Sequence, residues 1–551
     1  MILFLTILVP LIAAGVVAVG PARLARRVAL GGTWAAFGLT VGALFRFDWS
    51  AAAAFQFGES NADWLPSLGL RLAVGVDSVA LLLIALTALL GPICVLASTT
   101  AITERVKTYY AWLLVLQAAM TLVFASRDLI LFYIGFEFTL IPMWVLINLY
   151  GSTNRVKAAT KFFLYTFTGS MLALAGLVYV AWFHAVSLGL GWTFDIGALA
   201  QAARQMSAGQ QAWVFAALLA GFAVKVPLFP FHTWLPLAHT EAPTAGSVIL
   251  AGVLLKLGTY GIYRFALPFA PQAAWEFAPL IAVICIIGIV YAGLICWVQT
   301  DVKKLVAYSS VSHLGFCILG LVAFNAAGVS GSVLYMINHG LSTGALFLLI
   351  GMIYERYHTR SMKELGGLAA KMPVWATFMV FFTLASVGLP GLNGFVGEFL
   401  CLLGAFQAGG ELWWGDAHVG GTPGRLGPWY AAVAGTGMIV AAIYLLYMVG
   451  KVVFGPLVEP HAHHDEAHAD GAKPGLPADL NAREIGILAM LAVPCIVLGL
   501  YPAPALDAIH APVMETVRTV LNANGVATPR PERGTLGASH EPAASTTGGG
   551  P

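Results

Sequence analysis

Two lysines lie inside long apolar stretches of this sequence, where a cation is costly. Lys225 occurs in WVFAALLAGFAVKVPLFPF and Lys256 in SVILAGVLLKLGTYGIY, whereas the other Lys and Arg residues lie between such stretches or at their ends. A charge at bilayer depth costs about 2.5–3.5 kcal/mol on insertion scales, and such residues usually line a water-filled path or a proton relay. The two lysines therefore indicate chemistry in which protons move inside a membrane.

Two glutamates and two histidines in other apolar stretches can exchange protons with these lysines. Glu137 lies in DLILFYIGFEFTLIPMWVL and Glu398 in NGFVGEFLCLL, while His313 and His339 lie in SSVSHLGF and YMINHGLSTGALF. A lysine beside Glu137 favours both charged forms, so the two groups would titrate as a unit. Histidine accepts and releases protons near neutral pH. The pattern predicts a relay of buried titratable groups.

Each of these residues also has a purely structural explanation. Glu137 and Lys225 could form a static buried ion pair, although buried pairs are poor stabilisers compared with apolar packing. Glu398 could cap backbone amides beside GLNG, and a single buried histidine is often only a hydrogen-bonded core residue. Two histidines in successive apolar stretches favour the relay, in which they bridge Lys256 to Glu398.

The composition indicates a polytopic membrane protein. Of the 551 residues, 59% are hydrophobic and 10% are charged, whereas a soluble domain carries about 25% charged residues. A net charge of +2 provides no basic surface for nucleic acid. The six cysteines occur singly, without CxxC or Cys/His spacing, so neither an iron–sulfur cluster nor a metal site is predicted.

Apolar runs of about 17–25 residues mark the membrane-spanning helices. We predict an all-α fold with about fourteen of them, at 1–20, 28–46, 76–99, 109–125, 128–150, 159–183, 210–229, 244–269, 277–300, 305–324, 330–357, 374–408, 429–454 and 484–501. Most Lys and Arg residues then fall in loops on one side. By the positive-inside rule, both termini are predicted to lie outside the cytoplasm.

Two of the predicted helices are interrupted. The seventh runs into three prolines, and the chain is expected to resume as a helix near Pro243, while the twelfth is broken by GLPGLNG. Broken helices in corresponding positions indicate inverted repeats around a midplane site. The predicted organisation is helices one to three at 1–108, two five-helix repeats at 109–269 and 277–454, a flexible His-rich loop at 455–483, a last helix at 484–501 and a partly disordered tail at 502–551.

Several other polar segments have two explanations. The run HAHHDEAHAD at 461–470 has the residue types that bind transition metals, but no apolar periodicity would fix its geometry, so a flexible linker is expected. The segment LDAIHAPVMETVRTVLNANG in the tail is expected to form a surface helix, followed by a disorder-prone sequence.

Two further groups of charged residues lie at loop ends. His232, His239 and Glu241, in FHTWLPLAHTEAPT, could help protons enter or could merely satisfy their loop. Asp301, Lys303 and Lys304, in TDVKKL, are expected to form a solvated pair at the membrane interface.

The stretch GFAVKVPLFPFHTWLPLAHTEAPTAGSVILAGVLLKLGTYGIYR at 221–264 resembles the signature of the antiporter-like subunits of respiratory complex I and of the related Mrp-type cation/proton antiporters. SSVSHLG, MINHGLSTGALF and GLPGLNGFVGEF extend the resemblance to about residues 70–500. The glutamate at position 398 is similar to the residue found in the subunit-M branch of this family, the counterpart of mitochondrial chain 4. Subunits L and N and the Mrp members resemble one another in having lysine at this position.

The resemblance implies a role for each candidate residue: Glu137 and Lys225 form the input pair, Lys256 is the central carrier, His313 and His339 line the axis, and Glu398 is the exit. It also implies a proton-translocating subunit of NADH:quinone oxidoreductase that holds no cofactor itself. NADH, FMN, iron–sulfur clusters and quinone would belong to partner subunits, and other complex I membrane subunits would be its neighbours. An Mrp-type Na⁺/H⁺ antiporter subunit stays open as the alternative, as does an electron donor other than NADH.

Overall fold

A computed structural model of the chain describes residues 1–58, 62–409, 412–414, 417–419, 421–460 and 479–527. Most of the predicted His-rich loop, including 461–470, and the end of the predicted tail, 528–551, lie outside these residues. The expectation of a flexible linker and of a disordered terminus therefore stays a prediction.

The described chain is built from α-helices: α1 Ile2–Val19, α2 Ala22–Arg46, α3 Ser78–Ala97, α4 Val106–Ala125, α5 Leu129–Tyr150, α6 Arg155–Ser187, α7 Ile196–Ala203, α8 Ala208–Lys225, α9 Leu235–Glu241, α10 Thr244–Phe269, α11 Pro271–Trp297, α12 Val302–Leu321, α13 Ala326–Tyr357, α14 Pro373–Val387, α15 Asn393–Gln407, α16 Pro428–Val452, α17 Ala482–Leu500 and α18 Ala503–Ala523. Two short antiparallel hairpins accompany them: β1 Ala62–Leu65 with β2 Leu70–Leu72, and β3 Leu412–Trp414 with β4 Ala417–Val419. The sequence patterns did not predict these hairpins.

Twelve helices in the described part of the chain are long and apolar enough to cross a membrane, which confirms the predicted class of polytopic helical membrane protein. Each coincides with one predicted span. The two remaining predicted spans, the seventh and the twelfth, correspond to the helix pairs α8/α9 and α14/α15. The number of crossings and the inverted repeats stay predictions.

Many helix starts are fixed by an Asp or Asn whose side chain accepts hydrogen bonds from the first backbone amides, which have no partner inside the helix. Asp77 begins α3, Asp128 begins α5, Asp301 begins α12 and Asn325 begins α13 in this way. Asn481 and the third residue of α17 form a reciprocal capping box. These short polar side chains place the helix ends at the polar borders of the bundle.

The seventh predicted span ends at Lys225, the last residue of α8. A single 3₁₀ turn, Phe231–Trp234, follows, and α9 begins at Leu235. The helix thus resumes earlier than expected, since Pro236 occupies the first turn of α9, where a missing amide proton costs nothing. The expectation that the helix resumes near Pro243 was wrong.

The break in the twelfth predicted span is a turn at Gly388–Leu392 between α14 and α15. Gly388 and Gly391 have φ values of +84° and +93°, in the left-handed region that glycine adopts at low cost. A Cβ atom on Gly388 would come 2.8 Å from Glu398 Oε2. The glycine therefore supplies both the turn and the space for this carboxylate.

Helices α10 and α13 form the centre of the bundle. The apolar window of α10 is 100% buried and that of α13 is 94% buried, whereas the window of α17 is 28% buried. Glycines let α13 approach α15 closely: a Cβ atom on Gly404 would come 2.3 Å from Gly328 Cα. Polar side chains on these central helices are consequently removed from lipid.

Helix α18 is the predicted surface helix of the tail. One face is buried against α13, α11 and α3 at the end of the bundle where these helices begin. That face carries Ile509, Pro512, Val513, Val517, Val520 and Leu521. Helix α18 is not among the described helices that are long and apolar enough to cross a membrane.

Candidate proton-relay site

Lys256 lies in α10 directly after a π-helical turn, Leu250–Leu254. Its side chain is 0% exposed. The ammonium donates a hydrogen bond to the Ala251 carbonyl and lies 2.7 Å from Nδ1 of His339 on α13. Because a charged lysine only donates, His339 Nδ1 must accept, and the ring proton then resides on Nε2. This contact joins two of the predicted relay residues.

Two glycines allow α10 and α13 to meet at this point. A Cβ atom on Gly340 would come 2.9 Å from the Gly252 carbonyl oxygen. Real Cβ atoms essentially never approach another atom so closely. Gly340 follows His339 directly, and Gly252 lies one helical turn before Lys256. The small residues thus bring the lysine within reach of the histidine.

A second cluster surrounds Glu398 near the start of α15. His313 Nδ1, on α12, lies 2.8 Å from Glu398 Oε1. The hydroxyl of Tyr335, on α13, lies 2.7 Å from the same His313 nitrogen and also bonds Glu398 Oε1. These three side chains are 1–3% exposed. The structure thus brings together two predicted residues, together with a tyrosine that the sequence patterns did not single out.

Tyr335 precedes His339 by one helical turn on α13, so both lie on one face. This spacing was the available signal for the tyrosine. An aromatic residue is common in an apolar helix, however, and the sequence alone did not separate it from core residues.

The rings of His313 and His339 face each other across the gap between the two clusters. Their centroids are 5.9 Å apart. Nε2 of each ring is buried, with no hydrogen-bond partner among the described residues. One ordered water bonded to both nitrogens would satisfy them. The four predicted residues from Lys256 to Glu398 therefore form one line with a single gap.

His239, at the end of α9, extends this line toward the other side of Lys256. It is 0% exposed, stacks on Phe347 with ring centroids 4.5 Å apart, and neither ring nitrogen has a hydrogen-bond partner in the described structure. Lys303 and Lys256 are close enough for their positive charges to repel a proton on His239. The sequence allowed either a functional or a structural role for His239. Its burial near two lysines favours the functional role.

Lys303 does not lie in solvent, and the expectation of a solvated interface pair was wrong. Its side chain is 6% exposed and donates a 2.6 Å hydrogen bond to the Ala242 carbonyl. The Asp301 carboxylate instead accepts from the backbone amides of Lys303 and Lys304, because it caps α12. The lysine is therefore free to turn inward, toward the end of α9.

A cavity of about 1020 Å³ lies at the end of the bundle formed by residues 99–103, 150–152, 241–244 and 350–360. We call this the basic end, because Arg26, Lys303, Arg356 and Arg360 line the cavity. Glu241 and Glu355 line it as well. The Glu241 carboxylate accepts hydrogen bonds from Ser152 Oγ at 2.6 Å and from the Asn154 amide at 2.9 Å. Lys303 lines this cavity and also lies near His239.

Lys225 and Glu137 are close but make no ion pair in the described structure. Lys225 is 3% exposed, donates to Thr139 Oγ1 at 3.3 Å and lies 4.5 Å from the centroid of the Phe136 ring. Glu137 is only partly buried, and its Oε1 has no hydrogen-bond partner within the described ranges. The predicted contact between their charged atoms is thus replaced by a hydroxyl and an aromatic face.

His232 lies apart from the line of relay residues. It is 5% exposed, and its ring lies 5.9 Å from that of Phe229 and 5.8 Å from that of Tyr291, measured between centroids. Across the described chain, no group of three His, Cys, Asp or Glu side chains has a metal-binding arrangement. The six cysteines are buried and unbonded, which agrees with a packing role.

Comparison with known proteins decides the family. The model for the membrane part of the NADH:quinone oxidoreductase/Mrp antiporter family matches residues 126–419, more than half of the chain. The chain belongs to this family. It is 40% identical over 531 residues to NADH-quinone oxidoreductase subunit M of Rhodobacter capsulatus, covering 92% of this chain and 95% of the relative. The resemblance predicted from the sequence motifs is therefore confirmed.

A plant relative and a solved structure agree with this family. NADH-ubiquinone oxidoreductase chain 4 of Marchantia polymorpha is 38% identical over 519 residues, which cover 93% of this chain and 96% of the relative. A chain of respiratory complex I from Thermus thermophilus with bound NADH has a TM-score of 0.79 and 28% identity, covering 94% of this chain and 100% of that one. The predicted subunit-M branch, the counterpart of chain 4, is the one that these relatives represent.

Proposed function

We propose that this chain is a proton-translocating membrane subunit of an NADH:quinone oxidoreductase. The observation that carries the proposal is the buried line from Lys256 through His339 and His313 to Glu398. Such a line of titratable groups across a membrane protein serves proton transfer. NADH, FMN, iron–sulfur clusters and quinone would be held by partner subunits, and this chain would hold none of them. It would lie among other membrane subunits in a bacterial inner membrane, with both termini outside the cytoplasm.

Protons would enter from the cytoplasm at the basic end. The cavity is large enough for water and is lined by several charged side chains, and Lys303, one of them, also lies near His239. A proton arriving at this lysine can pass to His239 and then to Lys256. Of these three groups, only Lys256 has its protonated form fixed by a second hydrogen-bonding ring. We therefore assign Lys256 as the central carrier.

The histidines can relay a proton because each ring accepts at one nitrogen and releases from the other. Lys256 would give a proton to His339 Nδ1, and His339 would release the proton on its Nε2 toward His313 Nε2. His313 would then release its Nδ1 proton to Glu398 Oε1, 2.8 Å away. One proton enters and one leaves each ring, so the number of protons is conserved. Glu398 would release its proton on the outer side.

Lys225 and Glu137 would couple this movement to the rest of the complex. The partly exposed Glu137 lies on a surface that a neighbouring membrane subunit would contact. A change in its charge would alter the electrostatic energy of Lys225, and this change would be transmitted to Lys256. Moving one charge against 100 mV requires about 2.3 kcal/mol, which electron transfer in partner subunits would supply.

The alternative is an Mrp-type Na⁺/H⁺ antiporter subunit, since the family model covers both classes. The relatives named above are oxidoreductase subunits at 38–40% identity over more than nine tenths of the chain, which favours the first proposal.

Affinity purification of the tagged chain from its membranes distinguishes the two classes. We expect NADH:quinone oxidoreductase subunits to co-purify, and membrane vesicles to take up protons when NADH is oxidised by quinone. Co-purification of only small membrane proteins, with sodium-driven proton exchange in the vesicles and no NADH oxidation, would contradict the proposal.

A further inference from the structure

Tyr335 connects the last two groups of the relay. Its hydroxyl bonds both His313 Nδ1 and Glu398 Oε1, which also contact each other. The hydroxyl has one proton to donate and can also accept. It can therefore donate to the carboxylate or to an unprotonated Nδ1, but not to both at once. Within the described residues, His313 and Tyr335 are the hydrogen-bond partners of the Glu398 carboxylate.

The proton count in this cluster suggests what the hydroxyl does. Before the transfer, His313 Nδ1–H and the Tyr335 hydroxyl both donate to the ionised Glu398. After the proton has moved from Nδ1 to Oε1, the nitrogen is an acceptor and the hydroxyl can donate to it instead. Tyr335 thus offers a donor to whichever group has lost its proton. The tyrosine itself neither gains nor loses a proton.

We propose that Tyr335 is a positioning residue for the last proton transfer, because it holds the His313 nitrogen and the Glu398 oxygen in contact and donates to each in turn. The inference rests on the proposed function, since it requires protons to pass from His313 to Glu398.

Packing fixes the tyrosine in this position. A Cβ atom on Gly397, the neighbour of Glu398, would come 2.7 Å from Tyr335 Cβ, so the tyrosine lies directly over the start of α15. On the other side of the carboxylate, Gly388 leaves the space that Oε2 occupies, as described above. Because Gly397 has no side chain, the Tyr335 ring packs directly on the α15 backbone, which holds its hydroxyl beside Glu398. The three groups are therefore preorganised for the transfer.

Other titratable groups also surround Glu398 and stay in place when Tyr335 is changed. Cys317 faces it from α12, Tyr444 from α16 and Cys401 from its own helix. His339 lies beyond His313, and Lys256 lies beyond His339. Helix α14 contributes hydroxyls and no titratable side chain. A shift in pH dependence on removal of the Tyr335 hydroxyl would therefore report on this hydroxyl.

Tyr335→Phe in the assembled complex tests the inference, since it removes the hydroxyl and keeps the ring. We expect the rate of proton translocation to fall roughly tenfold, the effect of losing one hydrogen bond to a charged group. We also expect the pH profile of pumping to move toward alkaline pH, because the ionised carboxylate loses a donor. Tyr263→Phe is the matched control: Tyr263 is 1% exposed, and its hydroxyl faces Thr516 on α18 and not the Glu398 cluster.

Parental pumping and a parental pH profile in Tyr335→Phe would overturn the inference. Should this variant fail to assemble, 3-fluorotyrosine at position 335 keeps the shape and changes the acidity of the hydroxyl, and an unchanged pH profile would then overturn it. Glu398→Gln distinguishes a failure of the proposed function from a failure of the role of Tyr335. Normal pumping in Glu398→Gln contradicts the proposed function, whereas lost pumping there with normal Tyr335→Phe contradicts only the role of the tyrosine.

Discussion

The molecule holds two groups of buried proton-binding side chains that satisfy their charges differently. In the first, which we call the Lys225 group, the lysine contacts Thr139 and the face of Phe136, and the nearby, partly exposed Glu137 makes no ion pair with it in the described structure. In the second, the Glu398 group, the carboxylate is fully buried and bonded to both His313 and Tyr335. The charge of Glu398 is thus compensated by side chains of this chain, whereas Lys225 has no ion-pair partner among the described residues.

Under the proposed function, this difference would let one chain both conduct protons and respond to a neighbouring subunit. A buried charge needs compensation by hydrogen bonds or an opposite charge. Glu398 receives that compensation from its own helices, so it is held in one geometry for proton transfer. Lys225 receives only a hydroxyl and a ring, so its charge stays sensitive to a carboxylate at the surface. The Glu398 group fits a conduit, and the Lys225 group fits a control point.

The largest expected effect is at Lys256, the proposed central carrier. Lys256→Met keeps the length and apolar stem of the side chain but removes the proton carrier. We expect proton translocation per electron in membrane vesicles to fall on the order of a hundredfold, the typical contribution of a positioned proton donor. Lys304→Met, at an exposed lysine at the start of α12, is the control and should pump normally. Equal pumping by the two variants would refute the role of Lys256 as a carrier.

An intermediate effect is expected in the Lys225 group. Glu137→Gln and Lys225→Met should leave assembly largely intact but lower pumping and quinone reduction together, roughly fivefold, the factor that corresponds to about 1 kcal/mol. The double variant should be no worse than the worse single variant, because both changes interrupt one electrostatic interaction. Strictly additive losses, or normal pumping in assembled Glu137→Gln, would show that the two residues act independently.

The smallest effect is expected at an ion pair outside the membrane-spanning helices. Lys371 Nζ lies 2.5 Å from Glu459 Oε2, and Tyr357 donates to the other carboxylate oxygen at 3.0 Å. The hydrogen bond from Lys371 lowers the pKa of Glu459 below its ordinary value of 4.5. Because the folded state has the lower pKa, this contribution to stability is present above pH 4.5 and is lost as the pH falls through the folded value.

Thermal unfolding of Glu459→Gln measures this contribution. Exposed ion pairs contribute less than about 1 kcal/mol, so we expect a small loss at pH 7 that disappears in acid. A loss comparable to that of a buried group, or one that grows in acid, would show that the pair does more than hold the loop. This surface pair thus sets the baseline against which the two buried groups are compared.

The membrane-spanning helices and the candidate relay residues could be predicted from the sequence, because both depend on the positions of charged residues relative to long apolar segments. Lys256, His313, His339 and Glu398 are unusual in their stretches, and each lies in the predicted line. Tyr335 was missed because nothing about a tyrosine in an apolar helix is unusual. Its role appears only when α13, α12 and α15 meet.

Other errors arose where local pattern and tertiary contact disagree. Lys303 lies at a helix start, where a lysine is usually solvated, yet Asp301 is used as a cap and the lysine turns to the Ala242 carbonyl. Glu137 and Lys225 are complementary in charge, but the Lys225 ammonium donates its hydrogen bond to Thr139 Oγ1 and not to the Glu137 carboxylate. In both cases the contact depends on how neighbouring helices are placed relative to one another. The periodicity of a single helix gives no information about that placement.

The most direct test of the account is the number of protons translocated per electron by Glu398→Gln in sealed membrane vesicles, with Glu398→Lys alongside. The glutamine keeps the shape and the hydrogen bonds of the side chain but cannot take a proton from His313. The account predicts that Glu398→Gln assembles and oxidises NADH with a reduced proton yield, while Glu398→Lys, which restores a titratable group, recovers part of it. An unchanged proton yield in Glu398→Gln would show that Glu398 only fixes the start of α15, and the proposed exit from the relay would be wrong.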